Sequence, residues 1–245
     1  MNYYYMTDTG KVRDHNEDSV VITENINKEV LMIVADGMGG HNAGEIASSL
    51  AITNLGKRFR NLSTVGNKED AIGWLKEAAH ETNSLIFQYT EEHPESVGMG
   101  TTLVLALITK DFILFGNIGD SSGYVVKNHE LHKITVDHTL VNMLVKSGEI
   151  TEEEAKDHPR KNVLMRALGS STAVEMDIFD IEEKVDGIFL CSDGLTNMLD
   201  NEQIQKVLNE DLTIEDKLIK LIYKCNNRGG NDNISVAYLE VGGKQ

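Results

Sequence analysis

Short apolar runs punctuated by turn residues dominate the chain. YYYM, SVVITEN, VLMIVAD, TTLVLALITK, DFILFGNIG, GYVVK, ELHKIT, AVEMDIFDI, GIFLCSD and NISVAYLEV are rich in β-branched, aromatic and leucine side chains, which is a strand signature. Many are joined by short turns, which antiparallel pairing accepts and parallel pairing does not. Ten such runs are too many for one small sheet. Helical spacing appears in three blocks, Ala43 to Phe59, Lys68 to Thr90 and Thr213 to Cys225; in the last, Ile214, Leu218, Leu221 and Ile222 recur on one face. Because strands and helices are grouped, not alternated one by one, the predicted class is α+β: a β-sandwich of two antiparallel sheets flanked by helices on both sides.

Between Asp137 and Leu168 the pattern breaks into short polar pieces. TEEE at Thr151 to Glu154 is a capping-box signature, and Pro159 stops the helical turn it opens. The segment from about 138 to 168 reads as a small flap subdomain, with an ordinary surface insertion as the alternative. Only two prolines, no internal repeat and no long charge block interrupt the chain, so residues 1–245 are expected to form one domain.

Charge narrows the choice of partners. With 39 acidic against 23 basic residues the formal charge is -16, which disfavours nucleic acid and anionic membranes and favours cations. Cys191 lies in a strand-like run and Cys225 in a helical one, so neither a disulfide framework nor a thiolate metal cage is indicated. MNYYYMTDTG lacks a basic segment followed by an apolar one, and no run nears the roughly 20 apolar residues of a spanning helix. A soluble, cytoplasmic protein is expected.

Candidate chemistry lies at the ends of the strands. VLMIVAD runs into GMGG at Asp36, GIFLCSD into Gly194 at Asp193, and ILFGNIG into Asp120; Glu17 and Asp18 sit in RDHNEDS and Asp232 in GGNDNIS. One Asp-Gly pair is explained by a turn. Six carboxylates beside turns, spread over most of the chain, can instead meet at one edge of a sandwich, where they must share protons or bind cations. Oxygen-only ligands select hard ions such as Mg²⁺ or Mn²⁺. Gly37 allows close backbone approach and offers its carbonyl, while Gly39 and Gly40 relieve crowding before the helix near Ala43.

The ordered set RDHNEDS, VADGMGGHNAGE, GMGTTL, NIGDSS, DHTLV, LMRALG, CSDGL and GGNDNIS resembles the bacterial branch of the metal-dependent protein phosphatases, the type 2C or PPM family of Ser/Thr phosphatases, almost end to end. The resemblance implies the same sandwich with two, possibly three, Mn²⁺ or Mg²⁺ ions at one end. It implies that Asp36 bridges two of them, that Asp193 and Asp232 complete the first, and that the Gly37 carbonyl with Glu17 or Asp18, directly or through water, serves the second. Asp120 with Asp193 would make the third, looser site. Arg13 matches the arginine that holds the substrate phosphate, and its planar fork suits two phosphate oxygens. A metal-bridging hydroxide would then attack phosphorus without a covalent enzyme intermediate. The implied partners are phosphorylated proteins, including a cognate Ser/Thr kinase, and the expected state is a monomer.

Two positions depart from the family's pattern. Met38 stands where the animal branch has a histidine proposed as general acid; His41 is near enough in sequence to serve, with a capping or packing role as the alternative. NIGDS continues with Ser122 and Gly123 in place of the usual arginine and small residue, which puts in question the hydrogen bonding behind Asp120. Asp137, His138, Arg160, Lys161 and Arg166 lie in or near the flap, where any could meet a phosphopeptide, and are read as solvated surface.

Rival chemistries fit less well. GDSSG matches the G-x-S-x-G nucleophile pattern around Ser121, but the strand-like YVVK comes next where a helix is needed. A cysteine phosphatase places an arginine six residues past its nucleophile, where this chain has Asn197 and Asn231. The glycines around residue 40 lead to Glu45 with no lysine, which excludes a nucleotide-cradling loop. A catalytically dead phosphatase fold that only binds partners typically loses metal aspartates, whereas Asp36, Asp193 and Asp232 are all present.

Overall fold

The structure, a computed structural model, describes residues 2–40 and 43–241. In chain order the first half runs β1 (Asn2–Asp8), β2 (Asp18–Glu24), β3 (Val30–Met38), α1 (Ala43–Arg60), α2 (Lys68–Glu92), β4 (Gly100–Thr101), β5 (Leu103–Ile108) and β6 (Ile113–Ile118). The second half runs β7 (Ser122–Lys127), β8 (Glu130–Lys133), α3 (Leu140–Ser147), α4 (Glu152–Lys156), β9 (Asp177–Ile181), β10 (Gly187–Cys191), α5 (Asp193–Thr196), α6 (Asn201–Leu208), α7 (Ile214–Asn227) and β11 (Ile234–Glu240).

These strands form two antiparallel sheets, ordered β2-β3-β5-β6-β9, with β4 paired to β3, and β1-β11-β10-β7-β8. The architecture is the expected α+β sandwich. Its apolar runs are continuous because both faces of the central strands are covered, so alternation divides side chains between two cores, not between core and water. Leu31, Ile33, Leu103, Leu105 and Leu107 pack with Ala47, Ala51 and Leu55 of α1 and Leu75 and Ala78 of α2. Met32, Val34, Val104 and Ala106 point the other way, meeting Ile188, Leu190, Ala237 and Leu239 of the second sheet. The outer face of that sheet carries Phe189, Cys191, Val236 and Tyr238 onto Ile204 of α6 and Leu218 and Leu221 of α7.

The structure refines several boundaries. TTLVLALITK is two strands broken at Thr102, because that residue is used to hold the tip of β3. Of AVEMDIFDI only Asp177 to Ile181 pairs. The helix α6 has no counterpart among the three helical blocks, although Asp200 and Gln203 form a capping box at its start. The capping box predicted at Thr151 opens α4 inside the flap segment. Among the described residues no helix is long and apolar enough to cross a membrane.

Away from the strand tips, one buried carboxylate stabilises the fold. Glu29 accepts hydrogen bonds from the Thr64 hydroxyl at 2.8 Å, the Val65 N–H at 2.9 Å and the Asn25 amide. Burial would raise its pKa, but these donors outweigh burial and hold it below the ordinary 4.5. A depressed folded-state pKa adds stability that is present above the unfolded value and is lost as pH falls through the folded one. Glu29→Gln turns an amide toward these donors and should cost about 1–3 kcal/mol at pH 7. In urea melts this deficit should shrink below pH 4.5, and a deficit constant with pH would contradict it.

Candidate metal centre

At one end of the sandwich the inter-sheet core turns polar. Asp36 continues the row of Met32 and Val34, and Asp18 lies directly opposite it in the β2–β3 register, so both carboxyls enter the gap between the sheets. From the facing sheet, Ser192 and Ser235 continue the rows of Leu190 and Ala237. The Ser192 hydroxyl donates to Asp18 Oδ2 at 2.7 Å and accepts from the Ser235 N–H at 2.9 Å. The other oxygen, Asp18 Oδ1, is buried without a partner.

The backbone around Asp36 is fully engaged. Its N–H donates to Thr102 Oγ1 at 3.0 Å, and its carbonyl accepts from the Thr102 N–H at 2.8 Å and the Thr101 hydroxyl at 2.9 Å. The Gly37 N–H donates to the Glu17 carbonyl at 3.0 Å. The strand tip is thereby held by two segments, Thr101–Thr102 and the Glu17 loop, and the carboxyl is left free to act.

Asp36, Gly37, Glu17, Asp120, Asp193 and Asp232 line one open pocket of about 650 Å³ with Arg13 at its rim, while Asp18 lies behind them. Asp193 is the first residue of α5 and accepts from the Asn197 amide at 3.0 Å. Asp232 accepts from the half-exposed Arg13 guanidinium at 2.9 Å. Asn233 interlocks the loops: its side chain accepts from the Glu17 N–H at 2.8 Å and donates to the Thr9 and His15 carbonyls, each at 2.9 Å.

The carboxyls oppose one another's ionisation. Burial, then Asp18, Asp193, Asp120 and Asp232, push Asp36 well above the usual carboxylate range. Burial, reinforced by Asp193 and Asp232 and opposed by the Ser192 and Ser235 bonds, pushes Asp18 up to about 7. Burial, then Asp193 and Asp137, pushes Asp120 up to about 7. Asp193 is raised by burial and by Asp232. Burial raises Glu17 too, against the pull of Arg13.

Among the described residues no three His, Cys, Asp or Glu side chains form a closed ligand group as they stand. Asp232 is turned to Arg13, and Asp193 accepts from Asn197. The donors nevertheless suit hard divalent cations: they are all oxygen, their charges are mutually repulsive, and one of them, Asp18 Oδ1, is buried with nothing to bond.

The family model for protein phosphatase 2C matches residues 10–229. The chain belongs to that family. This protein phosphatase 2C chain is 41% identical over 241 residues to the serine/threonine phosphatase stp of Listeria monocytogenes, covering 98% of this chain and 96% of that one. Its fold matches the serine/threonine phosphatase Stp1 of Staphylococcus aureus with a TM-score of 0.92 at 35% identity, over 98% of this chain and 95% of the other. It matches the catalytic domain of the phosphatase PstP in complex with two manganese ions with a TM-score of 0.86 at 35% identity, over 99% and 98% of the two chains.

Some sequence expectations need correction. His138 and Arg166 are not solvated surface: the His138 side chain is 8% exposed, and Arg166 is paired to Asp177 at 2.7 Å. Asp137 is held by Lys133 at 2.7 Å, while Arg160 and Lys161 are exposed as expected. Ser121 is buried, bonded to Thr102 Oγ1 at 2.7 Å and succeeded directly by β7, so no nucleophile elbow exists there. Cys191 and Cys225 are buried, and burial pushes both thiols up, Cys225 to about 12. His41 lies outside the described residues. The supporting residues Thr102, Ser192, Asn233 and Ser235 were not singled out from the sequence, although all stand within or beside the motifs that were.

Proposed function

We propose that this protein phosphatase 2C chain hydrolyses phosphoserine and phosphothreonine in proteins at a binuclear Mn²⁺ or Mg²⁺ centre, as one domain whose flap spans about 138–168. The observation that carries the reading is the convergence of Asp36, Asp120, Asp193 and Asp232, from the ends of separate strands, on one open pocket with Arg13 at its rim. In this reading Asp36 would serve both ions, Asp193 and Asp232 would hold the first, and the Gly37 carbonyl with Glu17 or Asp18 would serve the second. Asp120 with Asp193 would hold a third, weaker ion. When bound, divalent cations supply an acidified water for attack on phosphorus and offset the charge of the phosphoryl oxygens.

The chain's own residues do the rest. Arg13 is half-exposed and can exchange Asp232 for the substrate phosphate, presenting two donors to two oxygens. The bonds to Asp36 from Thr101 and Thr102 keep its carboxyl aimed into the pocket. Met38 lines the pocket without a titratable group, so His41 or water protonates the leaving group. The chain is read as a cytoplasmic monomer acting on phosphoproteins, including a cognate Ser/Thr kinase, and its excess of acidic residues argues against nucleic-acid or membrane binding. The manganese-bound PstP domain, similar over nearly the whole chain, supports the choice of metal.

The test is hydrolysis of a phosphothreonine peptide with Mn²⁺, with EDTA, and with EDTA and then excess Mn²⁺. Turnover should vanish in EDTA and return with the metal. Activity untouched by EDTA would overturn the reading, and no turnover under any metal would favour a binding-only domain.

A further inference from the structure

We propose that His138 is a positioning residue for Asp120, fastening the turn that carries this carboxylate to the base of the flap through Asp177 and Arg166. The inference rests on the reading of Asp120 as a ligand of the weakest cation.

The turn before Asp120 is built on a single residue. Gly119 has φ +107, a conformation that L side chains rarely adopt, and a Cβ there would lie 2.7 Å from the Thr102 side chain. Both of its peptide groups go to His138. The His138 N–H donates to the Gly119 carbonyl at 2.9 Å, and the Gly119 N–H donates to His138 Nδ1 at 3.1 Å. The Asn117 amide adds a bond to the same carbonyl at 3.1 Å.

Because Nδ1 accepts, the ring proton sits on Nε2, which donates to Asp177 Oδ2 at 3.1 Å, and the Arg166 guanidinium 3.3 Å from the same nitrogen makes no hydrogen bond to it. Asp177 Oδ1 accepts from Arg166 at 2.7 Å, and Arg166 also donates to the Glu175 carbonyl at 3.2 Å. The Met165 N–H donates to the His138 carbonyl at 2.8 Å. Backbone and ring of one histidine thus join the Asp120 turn, both ends of the flap and the start of β9. Burial lowers its pKa against the pull of Asp177, in keeping with a neutral ring. Residues that orient ligands in this way typically affect metal affinity 10–100-fold when changed.

Mn²⁺ binding to the full chain, measured by calorimetry and by the EPR signal of free Mn²⁺, separates the alternatives. Gln at 138 keeps a donor near the Nε2 position but loses the acceptor for Gly119, whereas Asn keeps an acceptor near Nδ1. His138→Gln should weaken the weakest Mn²⁺ by about tenfold or more with the tighter ions unchanged, and His138→Asn should remain within about threefold of wild type. Asp120→Asn should abolish the same weak binding. If Asp120→Asn does so and His138→Gln does not, the positioning role is wrong while Asp120 keeps its part. If Asp120→Asn changes nothing, the ligand assignment fails and the inference with it. Loss of all Mn²⁺ binding in His138→Gln together with a lowered melting temperature of the metal-free protein would reduce His138 to a structural residue.

Discussion

Asp36→Asn should lose turnover by on the order of 10³-fold or more, measured as kcat on a phosphothreonine peptide at saturating Mn²⁺, while the circular dichroism spectrum stays that of the wild type. Backbone and side chain have separate parts at this position. The bonds that place β3's tip involve the Asp36 N–H and carbonyl with Thr101 and Thr102, and an asparagine keeps both. What it removes is the charge that would lie between two cations, and its neutral amide offers one acceptor oxygen where the carboxylate offers two. A variant within tenfold of wild type would sink the bridging role.

The same substitution should stabilise the metal-free protein. Burial and four neighbouring carboxylates oppose the charge on Asp36, so its loss relieves repulsion that only bound cations otherwise offset. A gain of about 1 kcal/mol would raise Tm by roughly 2–4 °C in EDTA for a chain of this size. Opposite signs for stability and activity are the signature of a site whose groups are gathered for chemistry, not for folding. A Tm that falls instead would assign Asp36 a structural role.

The sandwich was legible because its signals are local. Apolar runs and the turns between them predict strands that meet in antiparallel pairs, and the grouped helices predict the layers that cover them. The pocket carboxylates were legible for a related reason: each lies beside one end of an apolar run, and strand ends of a sandwich converge. The contacts that escaped depend on register. That Asp18 lies opposite Asp36, and that Ser192 reaches Asp18 from the other sheet, depend on pairings between residues as many as 174 positions apart. Asp177 and His138 meet in the same way, across 39 positions and outside any shared motif. The helix α6 is a different case, since its capping box at Asp200 and its Ile204, Val207 and Leu208 are present in the local pattern but short enough to pass for a turn region.

Gly37→Ala should be a strongly damaging single methyl at this end of the molecule. Gly37 is not needed for its backbone conformation, since its φ is not positive, in contrast to Gly119. It is needed for space. A Cβ at this position would overlap the Gly44 carbonyl and lie 2.6 Å from the Glu17 carbonyl oxygen, and these neighbours are backbone, which cannot rotate away. Gly44 is matched to it: a Cβ there would lie 2.8 Å from the Gly37 carbonyl carbon. The tip of β3, the start of α1 and the Glu17 loop therefore pack main chain against main chain, and a methyl must drive α1 and the loop away from Asp36. Overpacking a core typically costs about 1–3 kcal/mol, and with no side chain able to yield the cost here should be about 3–5 kcal/mol, lowering Tm by roughly 10 °C. Displacement of the Glu17 loop by even about 1 Å should also reduce kcat about 100-fold. Gly40→Ala is the matched control, because among the described residues a Cβ there meets no atom within 4 Å; it should leave Tm and kcat near wild type. Melting curves that place Gly37→Ala alongside Gly40→Ala would show that β3 and α1 have room to part, and would remove steric closeness as the reason for a glycine beside Asp36.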